Sequence, residues 1–167
     1  MPLCKREAIS LVGKFDSYDS IGHITLIERD LEKDKVLVQR CGRLKAHLKY
    51  IPSIELNINQ FDRFKNDDNY VLYVKIEVDE YVEKWFKAIG MVLGRRRKIT
   101  PHITIAKSLS DDQFTTLWKH FQQKDYQRKI AVDAVRLLIK KSGKHYNTDL
   151  ALGGKIKLIE KEPTLFD

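Results

Sequence analysis

The chain has 167 residues, a formal net charge of +8, 43% apolar and 32% charged residues. That balance excludes a disordered or fibrous chain and suits one compact domain, or two small lobes sharing a core. No run approaches the roughly 18 apolar residues of a membrane helix, and the excess of Lys and Arg favours an anionic partner such as nucleic acid or a phosphorylated small molecule.

In chain order, the start Met1-Pro2-Leu3-Cys4-Lys5-Arg6-Glu7 has no apolar signal core. Ala8, Leu11, Val12 and Phe15 recur at helical spacing, which predicts a short helix over 5–15. A polar turn over 16–22 leads to a strand at about 22–28. A long helix is expected over 32–50, with Leu37, Cys41, Leu44 and Leu48 on one stripe, ending at Pro52. Ile54, Leu56 and Ile58 alternate with polar residues over 53–60, a half-buried strand. The turn Asn66-Asp67-Asp68-Asn69 joins it to a second strand over 70–78, so an antiparallel hairpin is expected.

Asp79 is placed to cap a helix running to about Leu93, with Val82, Phe86, Ile89 and Leu93 inward and Gly94 after its end. The run Arg95-Arg96-Arg97-Lys98 then leads to Pro101 and another strand. Ser110 and Gln113 form a capping-box pattern opening a helix that carries Phe114, Leu117, Trp118 and Phe121. Strands are expected at about 129–140, 145–152 and 155–160. Cys4 and Cys41 make neither a metal spacing nor a disulfide framework, and both read as reduced thiols in a cytoplasmic protein.

Two copies of one short pattern stand out: His23-Ile24-Thr25-Leu26 and His102-Ile103-Thr104-Ile105, with their histidines 79 positions apart. On a strand, successive side chains alternate faces. Each copy therefore turns an imidazole and a hydroxyl one way and two apolar chains the other. Two histidines facing a shared cleft can act as general base and general acid, because imidazole titrates near neutral pH. One strand histidine is commonly structural; two in the same context favour catalysis. His47, His120 and His145 lack the pattern, and His120, off its helix's apolar stripe, is expected to be solvated. Arg95 to Lys98 reads either as a solvated loop or as a steering patch for phosphate leading into His102. Tyr146 is suited to packing, or to stacking a base. No Asp, Glu or Cys stands at ligand spacing from the paired histidines, so a metal site is disfavoured.

The paired motifs, with the helix, strand pair and helix between them and the run His102-Ile103-Thr104-Ile105-Ala106-Lys107-Ser108-Leu109-Ser110, resemble the 2H phosphoesterase superfamily. Within it the resemblance is to the bacterial RNA 2′,3′-cyclic phosphodiesterase and 2′-5′ RNA ligase branch. It covers about residues 5 to 152. It implies an α+β fold: a bilobal, pseudo-twofold arrangement of two small, mainly antiparallel sheets with outer helices and a central groove. The lobes would divide near residue 98 within a single domain over 1–167.

By the family's logic the site needs no metal or other cofactor. One of His23 and His102 activates water and the other protonates the departing ribose oxygen, while Thr25 and Thr104 bind phosphoryl oxygens. Which histidine is base stays open. Lys107 stands where relatives often carry Arg; it is a candidate phosphate contact, although plain alternation puts it on the face opposite Thr104. The implied substrate is an RNA end or nucleotide with a 2′,3′-cyclic phosphate, opened to a 2′-phosphate, with reversible 2′-5′ ligation as a related activity. The alternatives are an RNA-end-binding module that retains the groove, or action on another cyclic or 2′-5′ phosphodiester. The lead before His23 is short and has no clear strand, so either an open sheet edge or a strand exchanged in a homodimer is expected there.

Overall fold

The computed structural model describes residues 2–28, 46–48, 50–66, 69–95, 97–136, 139–140, 146–147 and 155–157. Helices and antiparallel strands place the chain in the α+β class. In order these are α1 (Pro2–Val12), β1 (Ile54–Asn66), β2 (Asn69–Ile76), α2 (Glu80–Val92), β3 (His102–Leu109), α3 (Asp111–Phe121) and β4 (Gln127–Val132). Four short strands follow: β5 (Ala134–Arg136), β6 (Ile139–Lys140), β7 (Tyr146–Asn147) and β8 (Lys155–Lys157). The main sheet runs β3-β2-β1-β4, and β5-β8 and β6-β7 form two-stranded pairs. No described helix is long and apolar enough to cross a membrane. The chain forms two compact units, each assembled from three segments.

The first unit takes residues 1–25, 57–77 and 101–129. Its core is legible from periodicity: Ala8 from α1, Leu72 and Val74 from β2, Ile103 and Ile105 from β3, and Leu117 and Phe121 from α3 are buried. Phe61 of β1 sits 4.7 Å from Phe121 and 5.0 Å from Tyr126, ring centre to ring centre. Burial of such side chains at roughly 25 cal/mol per Å² of apolar surface drives this packing. The expected capping box is present, with Ser110 and Gln113 satisfying each other's backbone N–H groups. Helix α1 stops at Gly13, whose φ of +74 suits the left-handed residue after a helix end. Cys4 is a buried free thiol.

The second unit takes residues 26–56, 78–100 and 130–167. Asp79 caps α2 by accepting from the N–H of Val82 at 2.8 Å. Trp85 is a buried core residue, and its indole N–H donates to the Pro52 carbonyl at 2.7 Å. Of the long helix expected over 32–50, Ala46 to Leu48 is helical, and Cys41 lies outside the described residues. The same holds for His145 and most of the strand expected at 145–152.

Three expectations need correction. The first motif forms no strand of its own; it contributes one antiparallel bridge, Ile24 to Ile103. A physical reason lies nearby: the Leu26 carbonyl accepts from the Arg95 guanidinium instead of from a ladder N–H. Strand β1 runs on to Asn66 rather than ending near Gln60. Its inward positions switch from even (Leu56, Ile58) to odd (Phe61) across a bulge, where Gln60 takes φ 59. His120 is not simply solvated: its Nε2 donates to Glu7 at 2.7 Å.

Candidate active site

The single bridge between Ile24 and Ile103 organises the motif residues. In an antiparallel pair the neighbours of bridged residues also oppose each other. A ladder continued from this bridge would set His23 opposite Thr104 and Thr25 opposite His102; the bridge that forms is Ile24–Ile103. Alternation turns Ile103 into the core, where it is 4% exposed, and leaves His102 and Thr104 half-exposed on the other face. Ile24 is half-buried, while His23 and Thr25 are exposed. All four residues belong to the first unit.

The His23 ring is oriented by its own backbone. Its Nδ1 lies 2.7 Å from the Ile21 carbonyl oxygen. A carbonyl can only accept, so Nδ1 carries the proton in this bond. His102 is held differently. Its ring meets Tyr73 edge-on at 5.2 Å and Phe64 at 5.7 Å. Rings at such distances and tilts favour one another through their quadrupoles.

Strand register brings further residues to this face that sequence reasoning missed. On β2, Tyr73 pairs with Thr104 and Lys75 pairs with His102. Across the hairpin, Asp62 of β1 pairs with Tyr73. The Asp62 carboxylate lies 3.5 Å from the Lys75 ammonium. Burial, and then the charge and hydrogen bond of Asp62, push the Tyr73 phenol above its ordinary pKa, so Tyr73 is a neutral O–H donor. The signal in the sequence was the polar, aromatic alternation Tyr73-Val74-Lys75, but it becomes legible only once the bulged register is known.

Lys107 is exposed, and the group its charge acts on is Lys5. Simple alternation from Thr104 does not reach it. The β2–β3 register slips on both sides of Leu72, which allows Ile105 and Ala106 to be buried in succession, and Ser108 takes φ 55. The Arg95–Lys98 run is partly committed to structure. Arg95 caps the carbonyls of Leu26 and Arg97, and Lys98 pairs with Glu83 at 2.6 Å. Among the described residues, no three His, Cys, Asp or Glu side chains gather as metal ligands would.

A family model described as the 2'-5' RNA ligase superfamily matches residues 14–144, a span that holds both motifs and the hairpin between them. The chain belongs to the 2'-5' RNA ligase superfamily. No curated protein matches it. Membership in the 2'-5' RNA ligase superfamily is consistent with a 2H phosphoesterase and with an enzyme of phosphoester transfer or hydrolysis.

Proposed function

We propose that this chain is a metal-independent phosphodiesterase that opens 2′,3′-cyclic phosphates of RNA ends or nucleotides to 2′-phosphates. The observation that carries the reading is the Ile24–Ile103 bridge, which joins the first motif to the second; in the proposed site each motif's histidine works beside the other motif's threonine. A pseudo-twofold relation between the two motif segments is part of the proposal. One imidazole, neutral, removes a proton from water as its oxygen attacks phosphorus. The bond from phosphorus to the ribose 3′ oxygen breaks, and the second imidazole, protonated, gives that oxygen its proton. His23 exchanges its proton through Nε2, since Nδ1 is engaged by Ile21. The Thr25 and Thr104 hydroxyls donate to the phosphoryl oxygens as charge develops there. Lys75 adds a cation on the same face, and Tyr73, whose O–H donates to Asp62, holds that carboxylate beside it.

The test uses purified protein with EDTA present, assayed on 2′,3′-cyclic nucleotides and on short RNAs with cyclic ends. His102→Ala is run beside wild type, with circular dichroism reporting the fold. A 2′-phosphate product that disappears in the folded variant is the expected result. Undiminished turnover by that variant, or wild-type activity abolished by EDTA, overturns the reading.

A further inference from the structure

The two motif histidines are supported unequally. His102 lies in an eight-residue strand with five register partners on β2. His23 lies in a segment whose backbone bridge is the one between Ile24 and Ile103. The turn immediately before it is anchored in another way. Lys5, on α1, is 6% exposed, and its ammonium donates to the Ser17 carbonyl at 2.7 Å and to the Ser20 hydroxyl at 2.6 Å. Ser20 in turn donates its hydroxyl hydrogen to the same Ser17 carbonyl at 2.9 Å. Phe15, at the start of the turn, is buried. The residue after Ser20 is Ile21, whose carbonyl holds the His23 ring.

We infer that Lys5 is a positioning residue for His23: it clamps the turn at Ser17 and Ser20 and so fixes the Ile21 carbonyl that orients the imidazole. An ordinary surface lysine is not built this way. Lysine is almost never fully buried unless its ammonium is paired or hydrogen-bonded. Burial pushes the Lys5 amine down to about 8, with the charge of Asp19 opposing that effect and Lys107 adding to it. Methionine or leucine on this face of α1 would serve packing at less cost. A buried amine is retained where its hydrogen bonds specify a geometry. The geometry specified here ends three residues before a proton-transferring group, and small displacements of such groups are costly to rate.

This inference rests on the proposed activity for its kinetic part but not for its spectroscopic part. Lys5→Met keeps the stem and removes the ammonium. The folded variant should lose roughly 10- to 100-fold in kcat on a 2′,3′-cyclic nucleotide, with KM moving by less than about twofold because the phosphate ligands are untouched. In a His23→Ala background the same change should cost nothing further, since the group it positions is gone. Imidazole nitrogen NMR supplies the second readout. Wild-type His23 should show a proton on Nδ1, and Lys5→Met should show mixed tautomers, with the Glu7-bonded His120 unmoved as reference. If Lys5→Met does not fold, Ser20→Ala, which removes one partner of the clamp, should shift both readouts in the same direction by less. Unchanged kcat and an unchanged His23 tautomer in a folded Lys5→Met, or in Ser20→Ala where Lys5→Met fails to fold, overturn the inference. If wild type proves inactive on cyclic phosphates, the functional reading fails while the tautomer still decides the role of Lys5.

Discussion

At the scale of single residues, the roles proposed for two imidazoles and two hydroxyls make unequal demands on them. Replacing His23 or His102 with Ala removes a proton donor or acceptor that nothing adjacent duplicates, so each should lower kcat by about 100- to 10,000-fold with the fold intact. Thr25→Ala or Thr104→Ala removes a neutral donor to a developing anion and should cost no more than about 100- to 1,000-fold. Steady-state kinetics on one cyclic nucleotide ranks all four; a threonine variant worse than both histidine variants contradicts the assignment. Lys75 makes a different prediction. It is paired in register with His102 but shares an exposed ion pair with Asp62 at 3.5 Å. Exposed pairs are worth about 0.2–1 kcal/mol, so Lys75→Met should raise KM about two- to fivefold and leave kcat nearly unchanged. Asp62→Asn frees the ammonium and removes a repelling charge, so KM should fall. A fall in kcat with constant KM would instead place Lys75 in the chemical step. The four motif residues could be picked out from the sequence because a repeated pattern is local. Tyr73, Lys75 and Phe64 could not, because Tyr73 and Lys75 reach the same face only through the β2–β3 register, and Phe64 only through the β1–β2 hairpin.

At the scale of elements, the parts governed by local chemistry were the legible ones. Helix α2 begins at its Asp79 cap, α3 at its Ser110–Gln113 box, and the β1–β2 hairpin turns where the Asn and Asp run stands. What escaped were features decided by tertiary contacts: the extension of β1, the slips within β3, and the collapse of the first motif strand to one bridge. Those depend on which carbonyl meets which donor across the chain, as at Leu26 and Arg95. Ser110→Ala removes one half of a reciprocal cap and should cost about 1 kcal/mol, seen as a fall of about 2–4 °C in Tm; an unchanged Tm would mean that the box contributes nothing. The clip joining α1 to the end of α3 gives a pH effect. Glu7 accepts from Lys124 and from His120, and these two bonds hold its carboxyl below the ordinary value. A carboxylate depressed in the native state binds fewer protons there than in the unfolded chain. Its stabilisation is therefore full at neutral pH and is lost as pH falls from the ordinary value of 4.5 through the lower native one. Glu7→Gln should flatten that part of the acid stability curve measured by urea denaturation, and a curve that keeps its slope would remove Glu7 from it.

At the scale of the whole molecule, the charge of +8 makes the two proposed substrate classes distinguishable by experiment. The proposed reaction needs one phosphoryl group, which a nucleotide or an RNA end can supply. A protein that only takes mononucleotides gains little from distributed positive charge, because one small anion meets one or two cations. A protein that takes RNA ends can bind the phosphates upstream of the reacting one, and each phosphate neutralised releases counterions. The slope of log affinity against log salt then grows by about 0.7 for every phosphate engaged on a single strand. KM for a 2′,3′-cyclic mononucleotide should therefore change weakly between low and physiological salt. KM for an oligonucleotide carrying the same cyclic end should rise steeply, while kcat stays the same for both because the reacting atoms are identical. Measuring KM for the pair over a salt series separates the cases. Equal, shallow slopes would show that the positive charge does not track a strand, and would assign the site to small nucleotides rather than RNA.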